Sequence, residues 1–473
     1  MRDMVEPQSV QPGQSQETGT GHGGPALART MGLFALVVYG VGDMVGSGIY
    51  GTVGKAAAQT GNAVWLAFLV AMVAALLTGL SYASIASRYP RAAGAAYVTH
   101  RAFHLPFLSY VVGLAVTASG LTSMATNTNI FAGNLAPFVG LKEAPWLVAL
   151  GFLLLMTGLN FWGIRESMWV NLLFTAIEVG GLLFVVAVGA RYWGGDVNYF
   201  ETPPRPDGTA GLTAAGLLSG SVLAFFAFLG FEDMLNISEE VKDPRRTMPR
   251  GMIIALVCVA LLYVSVSVTA VSVVPYKELA AAVAPLAAIT AKAAPWLPKW
   301  VYPALTMFAA ANTMLINYIM GSRLLYGMAR QGLMPAALGR VHARRKTPHV
   351  AILALLMVVT VLALAGAVTD LAAATALLLL CCFVVVNGAL VVLKRRAGEP
   401  PGGFEVPLAV PVLGAVVCGA LVVARLTTRN SQGALEWKAP LIAAGLLAVI
   451  VVLYAVRRPK NVTEETLAEA ELS

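Results

Sequence analysis

Gly40-Val41-Gly42-Asp43-Met44-Val45-Gly46-Ser47-Gly48-Ile49-Tyr50-Gly51 lies inside the first long apolar run of the chain. Five glycines in twelve residues weaken a helix, each by about 1 kcal/mol relative to alanine. A second interruption occurs at Phe225-Phe226-Ala227-Phe228-Leu229-Gly230-Phe231-Glu232-Asp233, where a glycine and two acids break an aromatic run. A break inside lipid is tolerable only where the freed backbone groups face protein or a cavity. The alternative is that these glycines only let helices pack closely.

Working outward, the rest of the chain reads as membrane-spanning. Of 473 residues, 58% are hydrophobic and 12% charged. Soluble domains carry about 25% charged residues, so this composition leaves too little polar surface for a water-soluble globule. Apolar runs at about 31–56, 63–87, 107–136, 145–162, 168–190, 214–238, 250–274, 300–328, 349–366, 369–393, 407–426 and 438–456 approach or reach the ~20 residues a helix needs to cross hydrocarbon. The expected fold is therefore all-α and polytopic, with about twelve transmembrane helices. The alternating ten-residue segments of a membrane β-barrel are absent from the sequence.

The net charge of +8 sits largely in short connectors, which fits membrane topology rather than a nucleic-acid partner. Arg88, Arg91 and Arg101; Lys242, Arg245, Arg246 and Arg250; Arg330, Arg340, Arg344, Arg345 and Lys346; Lys394, Arg395 and Arg396; and Arg457, Arg458 and Lys460 fall on one side if the N-terminus is cytoplasmic. Both termini are then expected in the cytoplasm of a cell (plasma) membrane protein. Residues 1–28, rich in Gly, Gln, Ser and Thr, read as a disordered tail. Cys258, Cys381, Cys382 and Cys418 lie in apolar runs and read as packing residues. The five histidines show no metal-ligand spacing, so neither a metal nor a cofactor is expected.

The two interruptions fall in the first and sixth spans, which correspond if the first ten helices form two five-helix repeats. Such paired breaks point to a transporter site. A half-helix N-terminus offers N–H donors and partial positive charge to a carboxylate, and freed carbonyls accept from an ammonium group. Together they suit a zwitterionic amino acid.

Five stretches then resemble the amino acid–polyamine–organocation (APC) permeases. Gly46-Ser47-Gly48-Ile49-Tyr50 is similar to their first-helix signature, and Phe225 to Glu232 to their sixth-helix motif. Glu239-Glu240-Val241-Lys242-Asp243-Pro244 with Met248-Pro249-Arg250-Gly251 resembles the stretch that follows. Ser322 to Arg330 with Gly332-Leu333-Met334-Pro335 resembles their eighth-helix ending, and Arg88-Tyr89-Pro90-Arg91-Ala92-Ala93-Gly94 their second intracellular connector. The matches keep family order from about residue 31 to 346.

The resemblance implies a 5+5 inverted repeat with two extra C-terminal helices. That divides the chain into a tail (1–28), a transport core (29–396), two accessory helices (397–458) and a second cytoplasmic tail (459–473). It also implies alternating access, with substrate between helices one and six. Carried onto this sequence, the substrate carboxylate meets the backbone at Gly46, Ser47, Gly48 and Ile49. The amine meets carbonyls near Ala227, Phe228, Leu229 and Gly230. Phe225 or Phe228 serves as aromatic gate or as ordinary packing.

Glu178 sits mid-span in the fifth run. An ionised acid there costs at least about 2.5–3.5 kcal/mol on insertion scales, and a group that sheds this cost by taking a proton is a candidate proton carrier. The alternative is a structural acid hydrogen-bonded to a neighbouring helix. Some proton-coupled members of the family carry a lysine near this position, so that mechanism does not transfer unchanged. Asp43, a departure from the small or apolar residue common there, could bind a basic group, accept a proton or cap the following half-helix. Asn127, Asn129, Asn312, Thr313 and Asn317 are further buried polar candidates, with Thr313 open to a sodium role.

The expected function is secondary active transport of amino acids or related amines, by proton symport rather than sodium coupling. An exchanger and a non-transporting amino acid sensor are the alternatives. No Ser/His/Asp set, metal motif or phosphate loop suggests an enzyme, and no filter-like repeat suggests a channel.

Overall fold

The computed structural model describes residues 29–457 except 47, 93, 204–210, 283, 299, 366–367, 428–434 and 436. The two tails expected at 1–28 and 459–473, and Ser47, lie outside the described residues. In chain order the α-helices are α1 (Leu33–Val45), α2 (Gly48–Thr60), α3 (Val64–Arg88), α4 (Gly94–Phe103), α5 (Pro106–Leu135), α6 (Pro145–Trp162), α7 (Ile164–Gly189) and α8 (Ala214–Ala227). They continue with α9 (Pro244–Val273), α10 (Tyr276–Ala281), α11 (Pro285–Ala293), α12 (Val301–Arg330), α13 (His349–Ala365), α14 (Val368–Arg395), α15 (Ala409–Leu426) and α16 (Lys438–Arg457). A ten-residue 3₁₀ segment, Phe231–Glu240, follows α8. Met31 and Val241 form an isolated parallel β-bridge.

Among the described residues, ten stretches are long and apolar enough to cross a membrane, and two shorter apolar helices, His349–Leu364 and Pro440–Val456, accompany them. Helices start where proline can fill a first-turn position whose N–H is unpaired anyway: Pro106, Pro145, Pro244 and Pro285 do so. The connectors hold three helices that hydropathy did not reveal, α4, α10 and α11. Each is too short to span and carries polar residues.

The interior is built from α1, α3, the α8–3₁₀ unit, α9, α12 and the inner faces of α5 and α14. Between helices in lipid, close packing replaces the hydrophobic drive of water. Small residues admit large neighbours: Gly79 receives Leu256, Gly251 receives Leu36, and Gly113 receives Met328. An aromatic cluster joins α3, the 3₁₀ segment and α14. The rings of Tyr82 and Phe231 lie 5.7 Å apart, and those of Phe231 and Phe383 5.4 Å. Large side chains such as Leu155, Trp169, Leu261 and Val361 stand on the outer surface, as a lipid-facing shell requires.

One face is closed by charge pairs. Arg323 of α12 is fully buried, and its guanidinium donates to Glu240 at 3.0 and 3.3 Å, to Asn160 at 3.1 Å and to Ser322 at 2.8 Å. The Glu240 carbonyl also accepts from the N–H groups of Thr30 and Met31. On the same face the α14–α15 connector folds under the bundle. Glu399 accepts from Arg101 at 2.9 Å and Tyr89 at 2.7 Å, while Glu405 accepts from Arg88 at 2.6 Å and from Lys394.

Candidate substrate cavity

Both sequence interruptions are breaks in the backbone. α1 ends at Val45 and α2 starts at Gly48. α8 ends at Ala227, turns through Phe228, Leu229 and Gly230, and resumes as the 3₁₀ segment. Gly230 has φ of +127°, a conformation that L side chains rarely adopt. A Cβ there would meet the backbone and carboxyl carbon of Asp43 at 3.0–3.1 Å. At Gly46, a Cβ would fall 2.1 Å from Thr313 Oγ1. The close-packing reading of these glycines and the broken-helix reading are thus both realised.

The two breaks open into one cavity of about 400 Å³. Its lining includes Asp43, Gly46 and Gly48 from the first break, and Phe225, Ala227, Leu229, Gly230, Glu232 and Asp233 from the second. α5 contributes Ser119, Thr122, Ser123, Thr126 and Asn127, and α12 contributes Thr313 and Asn317. From the breaks the cavity runs past Thr52 and Lys55 of α2 and Val222 and Leu223 of α8. Leu36, Tyr39, Met234 and Leu235, on the elements that carry the breaks, are fully buried and stand outside the lining, as does the Arg323–Glu240 pair.

Not every expected residue reaches the cavity. Ile49 is fully buried, and its side chain packs in the core. Phe228 is also fully buried and lies edge-on to Tyr263, with ring centres 5.1 Å apart. Phe225 lines the cavity. Glu178 lies outside the lining, fully buried, and accepts from Asn312 Nδ2 at 2.9 Å. The same amide is 3.0 Å from Thr175 Oγ1 and 3.5 Å from the Gly42 carbonyl. Asn171 donates to Asn312 Oδ1 at 2.9 Å. Through Asn312 the acid of α7 is therefore tied to the α1 backbone beside Asp43. Asn129 donates to the Ala363 carbonyl at 3.2 Å, joining α5 to α13.

Sequence reasoning missed Tyr263. Its hydroxyl lies 2.5 Å from the Met44 carbonyl and 3.1 Å from the Ala227 carbonyl, so one donor serves both helix breaks. A carbonyl has two lone pairs, and that of Ala227 keeps one for a further donor. At the other side of the cavity, the first-turn N–H groups of α2 have no intrahelical acceptors, and the helix dipole adds partial positive charge. The cavity thus combines donors suited to a carboxylate, acceptors suited to an ammonium group and hydroxyl or amide groups on α5 and α12.

The family model described as "Amino acid permease" matches residues 31–455. The chain belongs to the amino acid permease family. Among curated relatives, the permease is 29% identical over 352 residues to the branched-chain amino acid permease BcaP of Bacillus subtilis (strain 168), covering 70% of this chain and 73% of that protein. It is 33% identical over 343 residues to an uncharacterized transporter of Mycobacterium tuberculosis (strain ATCC 25618 / H37Rv), covering 71% and 74%. It is 33% identical over 361 residues to cationic amino acid transporter 4 of Mus musculus, covering 72% of this chain and 55% of the mouse protein. These relatives are transporters, and the permease is a multi-pass membrane protein of their kind.

Proposed function

We propose that this permease carries amino acids across a cell membrane by alternating access, coupled to proton symport. The observation that carries the proposal is the shared cavity at the two helix breaks. In this reading the chain forms twelve spans. The first ten are arranged as two inverted five-helix repeats over residues 29–396, and two accessory helices follow over 397–458. Both termini face the cytoplasm.

The substrate carboxylate is held at the α2 N-terminus near Gly46, Ser47 and Gly48. The ammonium group is held by carbonyls from Ala227 to Gly230, with Phe225 as a wall. Electrostatics favour this orientation, because fixed N–H groups and carbonyls replace water around each charge without reorganising. In this reading the cavity opens along α2, past Thr52 and Lys55, and is closed on the side of the buried Tyr39 and Met234. With a cytoplasmic N-terminus this is an outward-facing state. Closing the α2 side and parting the Arg323–Glu240 side would deliver the substrate inward.

Glu178 and Asp43 are the proton-carrier candidates in this reading, with Glu178 carrying the proton whenever a cationic group occupies the cavity beside Asp43. Each has a buried carboxylate oxygen with no protein partner, Oε1 and Oδ2 respectively, and Asn312 links the Glu178 carboxylate to the helix that carries Asp43. Filling the cavity and protonating these acids would together remove uncompensated charge from the interior. The test is uptake of labelled amino acids into proteoliposomes with and without an imposed pH gradient. Saturable uptake driven by an acidic exterior is expected. Saturable uptake that ignores the gradient would replace symport with exchange, and tight binding without flux would indicate a sensor.

A further inference from the structure

The cavity floor carries an excess of negative charge that a neutral amino acid would leave uncompensated. Asp43 of α1 and Glu232 and Asp233 of the 3₁₀ segment all line it, and each is at most 6% exposed. Two of these carboxylates bracket one glycine. Glu232 Oε2 accepts from the Gly230 N–H at 2.9 Å, and a Cβ at Gly230 would lie 3.1 Å from Asp43 Cγ. Basic residues of the lining stand elsewhere. Lys55 is seven residues along α2 from Gly48, about 10 Å by helical rise, and Arg425 is in the last turn of α15. Buried like charges of this kind call for a cation or a proton.

A second observation points to a ligand rather than to internal compensation. Thr313 Oγ1 and Asn127 Oδ1 are buried without a hydrogen-bond partner, and both residues line the same cavity. Thr313 Oγ1 stands against Gly46, and Asp43 Oδ2 is likewise unpartnered. Oxygens of three types are thus left to accept hydrogen bonds around one hollow. An unpartnered buried acceptor is costly, and a ligand rich in N–H donors removes that cost at several points at once.

Resting on the amino acid reading above, we infer that this site selects amino acids whose side chain carries a second positive charge, with Asp43 as the discriminating residue. The α-carboxylate is anchored at the α2 N-terminus. Asp43 and Gly48 stand on opposite sides of the first helix break and line the same cavity, so a flexible apolar stem bearing an ammonium or guanidinium group can run from one to the other. Thr313 and Asn127 supply neutral acceptors beside the path. A leucine-like substrate would bury its side chain against the carboxylates and gain no compensation.

The test is competition against labelled lysine uptake in proteoliposomes holding the full chain, using arginine, ornithine, leucine and cadaverine. Arginine and ornithine are expected to compete at least tenfold more effectively than leucine. Cadaverine, which keeps both ammonium groups but lacks the carboxylate, is expected to be weak. Asp43→Asn should lower the lysine-over-leucine preference by tenfold or more, and Asp43→Glu should largely restore it. Leucine competing as well as arginine would overturn the inference while leaving amino acid transport intact. A folded Asp43→Asn protein with unchanged preference would also overturn it. Cadaverine matching lysine would overturn the carboxylate anchor and make the ligand a diamine. Absence of uptake for every amino acid would instead overturn the transport reading itself. Should Asp43→Asn fail to fold, thermal stabilisation of the unaltered protein decides, since lysine should raise its melting temperature at concentrations where leucine does not.

Discussion

Replacing Gly230 with alanine attacks the second helix break at the point where it touches the first. The backbone at this residue has φ of +127°, a region in which a side chain costs about 1–3 kcal/mol. The added methyl would also stand 3.0 Å from the Asp43 carbonyl carbon and 3.1 Å from its carboxyl carbon and backbone oxygen. Those neighbours belong to the end of α1 and cannot swing aside like the tip of a flexible chain. Relieving overpacking of this kind costs about a further 1–3 kcal/mol. A total of about 2–6 kcal/mol is expected, together with a shifted Asp43 and impaired substrate binding. The assay pairs thermal unfolding in detergent with uptake in proteoliposomes. The control is Gly151→Ala on the outer face of α6, where a Cβ would meet nothing within 4 Å. That change should be neutral or stabilising by up to about 1 kcal/mol. Equal stability and equal uptake for the two variants would refute the claim that the breaks are packed against each other at Gly230.

Tyr263→Phe removes the hydroxyl that serves the Met44 and Ala227 carbonyls. A loss of about 1–3 kcal/mol and reduced uptake are expected, measured by the same pair of assays. Arg323→Met leaves the Glu240 carboxylate buried without its partner and should cost about 3–5 kcal/mol, much of it recovered by adding Glu240→Met; a double-mutant unfolding cycle checks this. In the α14–α15 connector, burial pushes Glu405 up, but hydrogen bonds from Arg88, Lys394 and the Gly402 N–H outweigh it and hold the group at about 2. A lowered acid contributes stability above its ordinary carboxylate range and loses it as pH falls through about 2. The contact should therefore be constant from about pH 5 to pH 8 yet weaken with salt. Glu405→Gln should speed labelling of a cysteine placed at the buried position Leu235, read by maleimide modification in membranes.

Ten of the twelve expected spans were legible because lipid imposes one requirement over about 20 consecutive residues, while the helices at His349–Leu364 and Pro440–Val456 fall short of that length among the described residues. The breaks were legible for the opposite reason. Gly46, Gly48 and Gly230 weaken a helix wherever they stand, and Glu232 and Asp233 cost too much in hydrocarbon to be incidental. What escaped were pairings set by tertiary contact. Tyr263 looks like any aromatic residue of an apolar run until its hydroxyl is seen between residues 219 and 36 positions away. The Asn312 amide joins Glu178 to Gly42 across three helices. Arg323 and Glu240 belong to two separately noticed motifs, and only folding brings them together. Phe225 and Phe228 were indistinguishable in sequence, because which of two neighbouring rings faces a cavity depends on helical phase near a break. The helices α4, α10 and α11 lack the length that makes a span conspicuous.

The most direct test of the central claim is chemical protection inside the cavity. A cysteine introduced at Ser123, which lines the hollow opposite the breaks, would be the single thiol in a background with Cys258, Cys381, Cys382 and Cys418 replaced by alanine. A small polar maleimide should modify it, and a saturating transported amino acid should slow that reaction at least tenfold. Modification at the same rate with and without substrate, in protein that still transports, would show that substrate binds elsewhere.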